Sequence, residues 1–137
     1  MQKFIVLFIQ LFIFRIAVAP HITAHPQNAT PPEGQNVTLS CNATGDPAPL
    51  IFWIKGGSII TKSGNPRISF EADNKTLTIR NVSRNDSGQY RCVANNSAGE
   101  AISSAATLNV QCKYSTFLRP PYCFHFEPAE DGVDAQH

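Results

Sequence analysis

The middle of the chain, residues 21–110, is built of short segments in which apolar and polar side chains alternate, separated by turn-forming residues. Within residues 35–42, Val37 and Leu39 point to one side and their polar neighbours to the other. Residues 76–80 repeat the pattern. A period of two is that of a half-buried strand. Several such strands without intervening helices predict an all-β sandwich or barrel.

The first nineteen residues have the composition of a secretory signal peptide. Lys3 gives a positive start, residues 4–14 are almost unbroken apolar sequence, and residues 17–19 read Ala-Val-Ala, the small-x-small pattern of a cleavage site. We therefore predict a leader over residues 1–19. The alternative is an uncleaved membrane anchor, but Arg15 closes an apolar run shorter than the roughly 20 residues that a spanning helix needs.

Net charge argues against several classes of partner. The 137 residues carry eleven basic and ten acidic side chains, and removal of the leader changes the formal net charge from +1 to −1, because it contains two of the basic residues. Such a balance predicts neither a nucleic-acid footprint nor an acidic solvating tail. The remaining length allows one ordinary domain. We place it at residues 20–111, followed by an irregular tail at residues 112–137.

The chain contains four cysteines. In the oxidising secretory route, cysteines are disulfide candidates before they are metal ligands. Four cysteines allow three pairings, so the count alone does not choose among them. The four residues are Cys41, Cys92, Cys112 and Cys123.

Spaced residues in the middle segment resemble the I-set of the immunoglobulin superfamily. Trp53 follows Cys41 by twelve residues, and Asp86 opens the run Asp-Ser-Gly-Gln-Tyr-Arg-Cys that ends at Cys92. Residues 94–100, Ala-Asn-Asn-Ser-Ala-Gly-Glu, also resemble that set before its last strand. The resemblance covers about ninety residues and implies a Greek-key sandwich of two antiparallel sheets.

The resemblance implies a disulfide between Cys41 and Cys92 that joins the two sheets. Closing a loop of about fifty residues contributes roughly 4 kcal/mol in the chain-entropy model. Trp53 is expected to pack on this bridge in the core. Leu39 and Leu77 occupy inward positions of their strands and are expected to join it.

Two further roles follow from the same resemblance. Tyr90 occupies the tyrosine-corner position, where the ring is buried and the hydroxyl bonds the backbone upstream. Asp86 is expected to form an ion pair with Arg67; the alternative is two solvated charges.

Seven Asn-x-Ser/Thr sequons, none with proline in the middle, predict N-glycosylation. Asn36 and Asn42 occupy outward positions of one predicted strand, and Asn74 precedes another strand of the same sheet. Glycans there are expected to cover that sheet and to exclude it as a contact surface. The seven residues are Asn28, Asn36, Asn42, Asn74, Asn81, Asn85 and Asn95.

The opposite sheet is predicted to expose apolar side chains. Because Trp53 points inward, its strand neighbours point outward, and the strand that contains Cys92 also has an outward set. A contiguous apolar patch indicates a docking surface; coverage by a further strand or by a neighbouring domain is the alternative. The predicted contact patch consists of Phe52, Ile54, Arg91 and Val93.

The last strand is predicted as one continuous segment, residues 100–110. Strict alternation over that length places Ile102, Ala106 and Leu108 toward the core, with Ser103 outward.

Catalytic and metal-binding motifs are weak in this sequence. His21 and His25 are four residues apart, but on a strand and without the glutamate that zinc proteases place between them. Cys112, Cys123 and His125 are scattered and lack the paired ligands of a zinc site. No nucleophile motif or phosphate loop occurs, so we expect no enzyme activity, no cofactor and no metal.

The tail contains two of the cysteines. Cys112 and Cys123 are predicted to pair with each other; a crosslink between two chains or a truncated gene product are the alternatives. We expect no membrane-spanning segment or lipid anchor in residues 112–137, because they contain no long apolar run and no lipidation motif.

Together these features predict an extracellular protein-recognition module. We expect the partner to be an extracellular or cell-surface protein, or a second copy of this chain, in cell adhesion or receptor-ectodomain binding. The alternatives are a soluble decoy or antagonist and a fragment of a multidomain matrix protein, receptor kinase or matrix enzyme. The fold by itself does not choose among them.

Overall fold

The computed structural model describes residues 16–113. This part of the chain folds into ten strands and one short 3-10 helix, Arg84–Asp86. The strands are β1 (Val18–Ala24), β2 (Val37–Ser40), β3 (Asn42–Asp46), β4 (Leu50–Lys55), β5 (Ser58–Ile59), β6 (Ile68–Glu71), β7 (Thr76–Ile79), β8 (Gly88–Asn96), β9 (Gly99–Ile102) and β10 (Ala106–Leu108).

The strands form antiparallel sheets. A three-stranded sheet has the order β2-β7-β6, and a five-stranded sheet has the order β10-β8-β4-β5 with β9 also paired to β8. β1 pairs with β3. Cys41, between β2 and β3, is disulfide-bonded to Cys92 in β8. This bond joins the two layers and confirms the predicted pairing, and the all-β sandwich is confirmed with it.

The core lies between the layers and contains side chains from both. Trp53, Leu39, Leu77 and Tyr90 are all buried. The indole Nε1 of Trp53 donates a hydrogen bond to the carbonyl oxygen of Asn74 at 2.7 Å, so the largest core side chain has its polar atom satisfied.

The last strand differs from the sequence expectation. β9 pairs with β8 as Ile102 with Val93, whereas β10 pairs with it as Ala106 with Tyr90. The step from one pair to the other is three residues on β8, from Val93 to Tyr90, but four residues on the last strand, from Ile102 to Ala106. The extra residue is a bulge, and it reverses the alternation. The expected inward orientation of Ile102 is therefore wrong: its side chain is 52% exposed.

Ser103 occupies this bulge and is buried, although alternation placed it outward. Its Oγ accepts a hydrogen bond from the Cys92 N–H at 3.0 Å, and its own N–H donates to the Cys92 carbonyl at 2.9 Å. Next to the disulfide, the Ser103 hydroxyl thus replaces the backbone carbonyl that would accept from the Cys92 N–H in a regular sheet.

The sequence predicts a leader at one end of the chain and an irregular tail at the other. β1 begins at Val18, so the last two residues of the predicted leader are strand residues here. The rest of the leader to residue 15, and the tail from residue 114 with Cys123 and its predicted bond to Cys112, lie outside the described residues. Among residues 16–113, no helix is long and apolar enough to cross a membrane.

Candidate protein-binding face

On the side of β5, β4, β8 and β9 that points away from the core, the side chains form three neighbouring rows. We call this surface the outer face. Strand pairing defines the rows, because residues opposite each other on adjacent strands point to the same side of a sheet. Adjacent strands lie about 4.8 Å apart, so the members of a row are in contact range. The rows are Ile59, Ile54 and Arg91; then Phe52, Val93 and Ile102; then Leu50, Asn95 and Glu100.

Six of these nine side chains are apolar. Leu50 is 78% exposed and Ile59 is 61% exposed, while Phe52 and Ile54 are half-buried. Val93 lies between Phe52 and Ile102 and is only 3% exposed. Val93 is thus covered by its neighbours. The direct contact with a partner that was predicted for it does not fit this burial.

The turn between β4 and β5 sets one border of the face. Gly56 and Gly57 both have positive φ, 55° and 84°, the conformation that a two-residue hairpin loop requires and that glycine adopts without strain. The tight turn places Ile59 directly opposite Ile54. Exposed Ile59 therefore extends the apolar surface to the edge of the sheet.

Polar side chains on β8 and β9 border the apolar side chains. Arg91, Glu100 and Gln89 are exposed on the same side of the sheet. A shallow depression of about 310 Å³ lies over one end of the face, lined by Ile54, Gly56, Gly57, Gln89, Arg91 and Ile102. An apolar centre with a charged rim is the general anatomy of a protein interface.

Three contact residues of the outer face are absent from the predicted patch. Leu50 has the same parity as Phe52 and Ile54 and could have been found by extending the alternation by two residues. Ile59 follows from the Gly-Gly turn. Ile102 could not be found from its sequence pattern, because the bulge that turns it outward depends on pairing with β8.

The predicted ion pair joins the segment before β6 to the 3-10 helix. Arg67 donates to both carboxylate oxygens of Asp86, at 2.8 and 3.2 Å. Burial by itself raises the pKa of Asp86, but the hydrogen bonds from Arg67 and from the Ser83 N–H outweigh it and leave this pKa below its ordinary value. Asp86 is thus held as a carboxylate in a structural contact.

The hydroxyl of Tyr90 donates to the backbone carbonyl of Asp86 at 2.7 Å. Burial, together with the negative charge of Asp86, raises the pKa of Tyr90 to about 12. A phenol buried in its neutral form and hydrogen-bonded to backbone stabilises the corner between β7 and β8.

All seven sequon asparagines are exposed. The side-chain oxygens of Asn28, Asn36 and Asn42 accept backbone hydrogen bonds from Thr107, Asn81 and Ala43, respectively. Asn74 and Asn81 have positive φ in turns, and Asn85 precedes Asp86 in the corner. The seventh, Asn95, lies on the outer face.

His21 on β1 and His25 just after it are both exposed. His25 accepts a hydrogen bond from the backbone N–H of Ser104 through Nδ1 at 3.0 Å, a structural contact. Within residues 16–113, no group of three or more His, Cys, Asp or Glu is arranged to hold a metal ion.

Comparison with known proteins gives consistent matches. The immunoglobulin I-set domain family model matches residues 20–110. Neural cell adhesion molecule 1 of Bos taurus is 42% identical over 91 residues, which are 65% of this chain and 11% of that protein. The probable oxidoreductase PXDNL of Homo sapiens is 36% identical over 115 residues, 84% of this chain and 8% of that protein.

Solved structures show the same similarity. The tandem Ig repeats of Dlar share 38% sequence identity at a TM-score of 0.66, over 72% of this chain and 51% of that chain. Titin M4 shares 32% identity at a TM-score of 0.63, over 70% of this chain and 99% of that chain. This chain thus corresponds to one whole titin module, but to between 8% and 11% of the two curated relatives named above.

Proposed function

This chain belongs to the immunoglobulin I-set family, and from that premise we propose that it is an extracellular protein-recognition module of the cell-adhesion or receptor-ectodomain type. The observation that carries the proposal is the outer face. Scattered exposed apolar side chains are ordinary, but a contiguous patch marks an interaction surface. Here Leu50, Phe52, Ile54, Ile59 and Ile102 adjoin one another in strand register.

Desolvation of the apolar side chains favours docking on this face. Removing apolar surface from water contributes about 25 cal/mol per Å² on docking. The exposed members of the face lose most, while Arg91 and Glu100 at opposite ends supply a charge of each sign for orientation.

One of the two curated relatives supports a binding role by its name. The neural cell adhesion molecule is named for adhesion. The match to the probable oxidoreductase covers 8% of that protein, so its activity is not carried over to this chain. We infer a module that acts through contact with another protein.

An extracellular location is part of the proposal. The predicted leader, the seven sequons and a disulfide between the layers all suit the secretory route. Expression in a mammalian secretory cell line tests this: the chain should appear in the medium, and glycosidase treatment should increase its electrophoretic mobility. Retention of an unmodified chain in the cytosol would contradict it.

The outer face is tested with the double variant Phe52→Ser/Ile54→Ser. Beads coated with the purified chain report binding to a second copy, and labelled chain applied to cells reports binding to another surface protein. We expect the variant to lose whichever binding the wild type has. The matched control changes Thr78 on β7, in the opposite sheet, and Arg80 just after that strand. Thr78→Ala/Arg80→Ala should bind as the wild type does.

A second variant separates binding from folding. Ile59→Ser/Ile102→Ser changes two exposed side chains and should leave the circular dichroism spectrum and the melting temperature unchanged while weakening the same binding. If both double variants bind as the wild type does, or if the wild type binds neither itself nor cells, the proposed function is wrong.

A further inference from the structure

Among the sequons of this chain, Asn95 has an unusual position. β8 pairs Asn95 with Leu50 on β4 and with Glu100 on β9. Asn95 has the same parity as Arg91 and Val93, so its side chain emerges on the outer face, in the row next to Phe52 and Ile102. Asn28, which bonds the backbone of Thr107 on β10, lies at the opposite end of β8.

We propose that an N-glycan on Asn95 covers the Leu50 end of the outer face and confines protein docking to the end formed by Ile54, Ile59 and Arg91. The confinement of docking rests on the proposed function, whereas the covering of Leu50 by the glycan does not. The occupant of the Leu50 end is then a modification of this chain itself.

The side chain of Asn95 is suited to carry a sugar. It is exposed, and its Nδ2 donates to Glu100 Oε2 at 3.3 Å. An amide nitrogen has two hydrogens, so replacing one by a glycan leaves the other for Glu100. The sequon hydroxyl belongs to Ser97, an exposed residue of the turn between β8 and β9.

The neighbouring asparagine holds this hairpin in place. Asn96 Nδ2 donates to the carbonyl oxygens of Val18 at 2.7 Å and of Pro47 at 3.0 Å, and its Oδ1 accepts from the Ala98 N–H at 2.9 Å. The hairpin is therefore tied to β1 and to the loop before β4. A glycan on Asn95 extends from this fixed support over the outer face.

The reach of the first sugar follows from sheet geometry. Cross-strand neighbours on one face have Cβ atoms about 5 Å apart, so Leu50 lies directly beside the attachment point. The next row, with Phe52 and Ile102, begins two residues along the strands, about 7 Å away. The row of Ile54 and Arg91 is about 14 Å away and lies beside the depression, beyond the reach of the first sugar.

The modification also suits the chemistry of Leu50. This side chain is 78% exposed, the most exposed apolar residue of the outer face. A bulky, solubilising glycan beside it shields apolar surface that otherwise favours non-specific association.

The test uses the full chain secreted from mammalian cells. The chain is digested to peptides and treated with a glycan-releasing amidase in oxygen-18 water, and mass spectrometry of the labelled peptides reports occupancy of Asn95. Carbene footprinting then measures the labelling of Leu50 and Ile59 in the wild type and in Ser97→Ala, which removes the sequon but keeps Asn95. Thr44→Ala, which removes the Asn42 sequon by the same loss of an exposed hydroxyl, is the matched control.

We expect Asn95 to be glycosylated and the labelling of Leu50 to rise roughly twofold in Ser97→Ala, with Ile59 unchanged. Thr44→Ala should label as the wild type does, and Asn95→Gln should reproduce Ser97→Ala. An unmodified Asn95 in the wild type, or equal labelling of Leu50 with and without the sequon, overturns the proposal.

The footprinting and binding experiments together distinguish the glycan proposal from the proposed function. If Leu50 is uncovered by Ser97→Ala while Phe52→Ser/Ile54→Ser leaves binding unchanged, the glycan proposal stands and the proposed function fails. If binding depends on Phe52 but Leu50 is equally labelled in both chains, the proposed function stands and the glycan proposal fails.

Discussion

Replacing Asp86 by asparagine tests the electrostatic account of the corner between β7 and β8. The carboxylate accepts four hydrogen bonds: from Arg67 Nη1 at 2.8 Å and Nη2 at 3.2 Å, and from the Ser83 N–H at 2.8 Å and Oγ at 3.3 Å. Asparagine has nearly the same shape, so the change removes the charge and one acceptor without opening a cavity.

The expected magnitude follows from the exposure of the pair. A hydrogen bond to a charged group contributes about 1.5–3 kcal/mol. The side chains of Arg67 and Asp86 are 35% and 14% exposed, so solvent screens part of this attraction, while the substituted amide still accepts from the Ser83 N–H. We expect Asp86→Asn to lower the free energy of unfolding by about 2 kcal/mol near neutral pH.

The pH dependence has a defined sign. The pKa of Asp86 is lowered in the folded chain, so its stabilisation is fully present above the pKa of the unfolded carboxyl, about 3.9. It is lost as the pH falls through the lower folded value. The difference in unfolding free energy between the wild type and Asp86→Asn should therefore shrink toward about pH 2.

Urea unfolding followed by circular dichroism measures both effects. Glu71→Gln, an exposed carboxylate on β6, is the control and should change stability by no more than about 0.5 kcal/mol. A difference for Asp86→Asn that is equally small near neutral pH, or one that stays undiminished at about pH 2, would refute the reasoning.

The remaining predictions concern the link between the layers. Cys41→Ala/Cys92→Ala opens a loop with a sequence separation of 51, and the unfolding free energy should fall by about 4 kcal/mol; urea midpoints equal to the wild type would contradict this. Ser103→Ala leaves the buried Cys92 N–H without its side-chain acceptor and should cost about 1–3 kcal/mol, with faster hydrogen exchange at the Cys92 amide. Unchanged exchange would show that another group satisfies this N–H.

The strands themselves were predictable because the information is local. Val37 and Leu39 on β2, and Leu77 and Ile79 on β7, alternate with polar residues and are buried. Which side of a strand is apolar depends only on consecutive residues. The alternation therefore identifies both the strand and the side that is buried. The Cys41–Cys92 bond needed more than alternation: the resemblance to a known family supplied it.

The composition of the outer face was predictable only in part. Phe52 and Ile54 followed from the inward orientation of Trp53, because the three share one unbroken strand. Val93 has the expected parity, yet its burial depends on the side chains of Phe52 and Ile102 from two other strands. Burial of this kind is a property of neighbours that the local pattern does not contain.

By itself the sequence determined the strands β2 and β7, the burial of Leu39 and Leu77 and the seven sequons, since each depends on residues adjacent in the chain. Tertiary structure alone decided that Ile102 faces solvent and that Asn95 stands beside Leu50. The reason is register. The pairing of β8 with β4 brings Asn95 beside Leu50. One extra residue between β9 and β10 reverses the alternation from one strand to the next, so Ile102 faces outward although Ala106, four residues later, faces the core. Only the pairing of β9 and β10 with β8 determines where the extra residue lies.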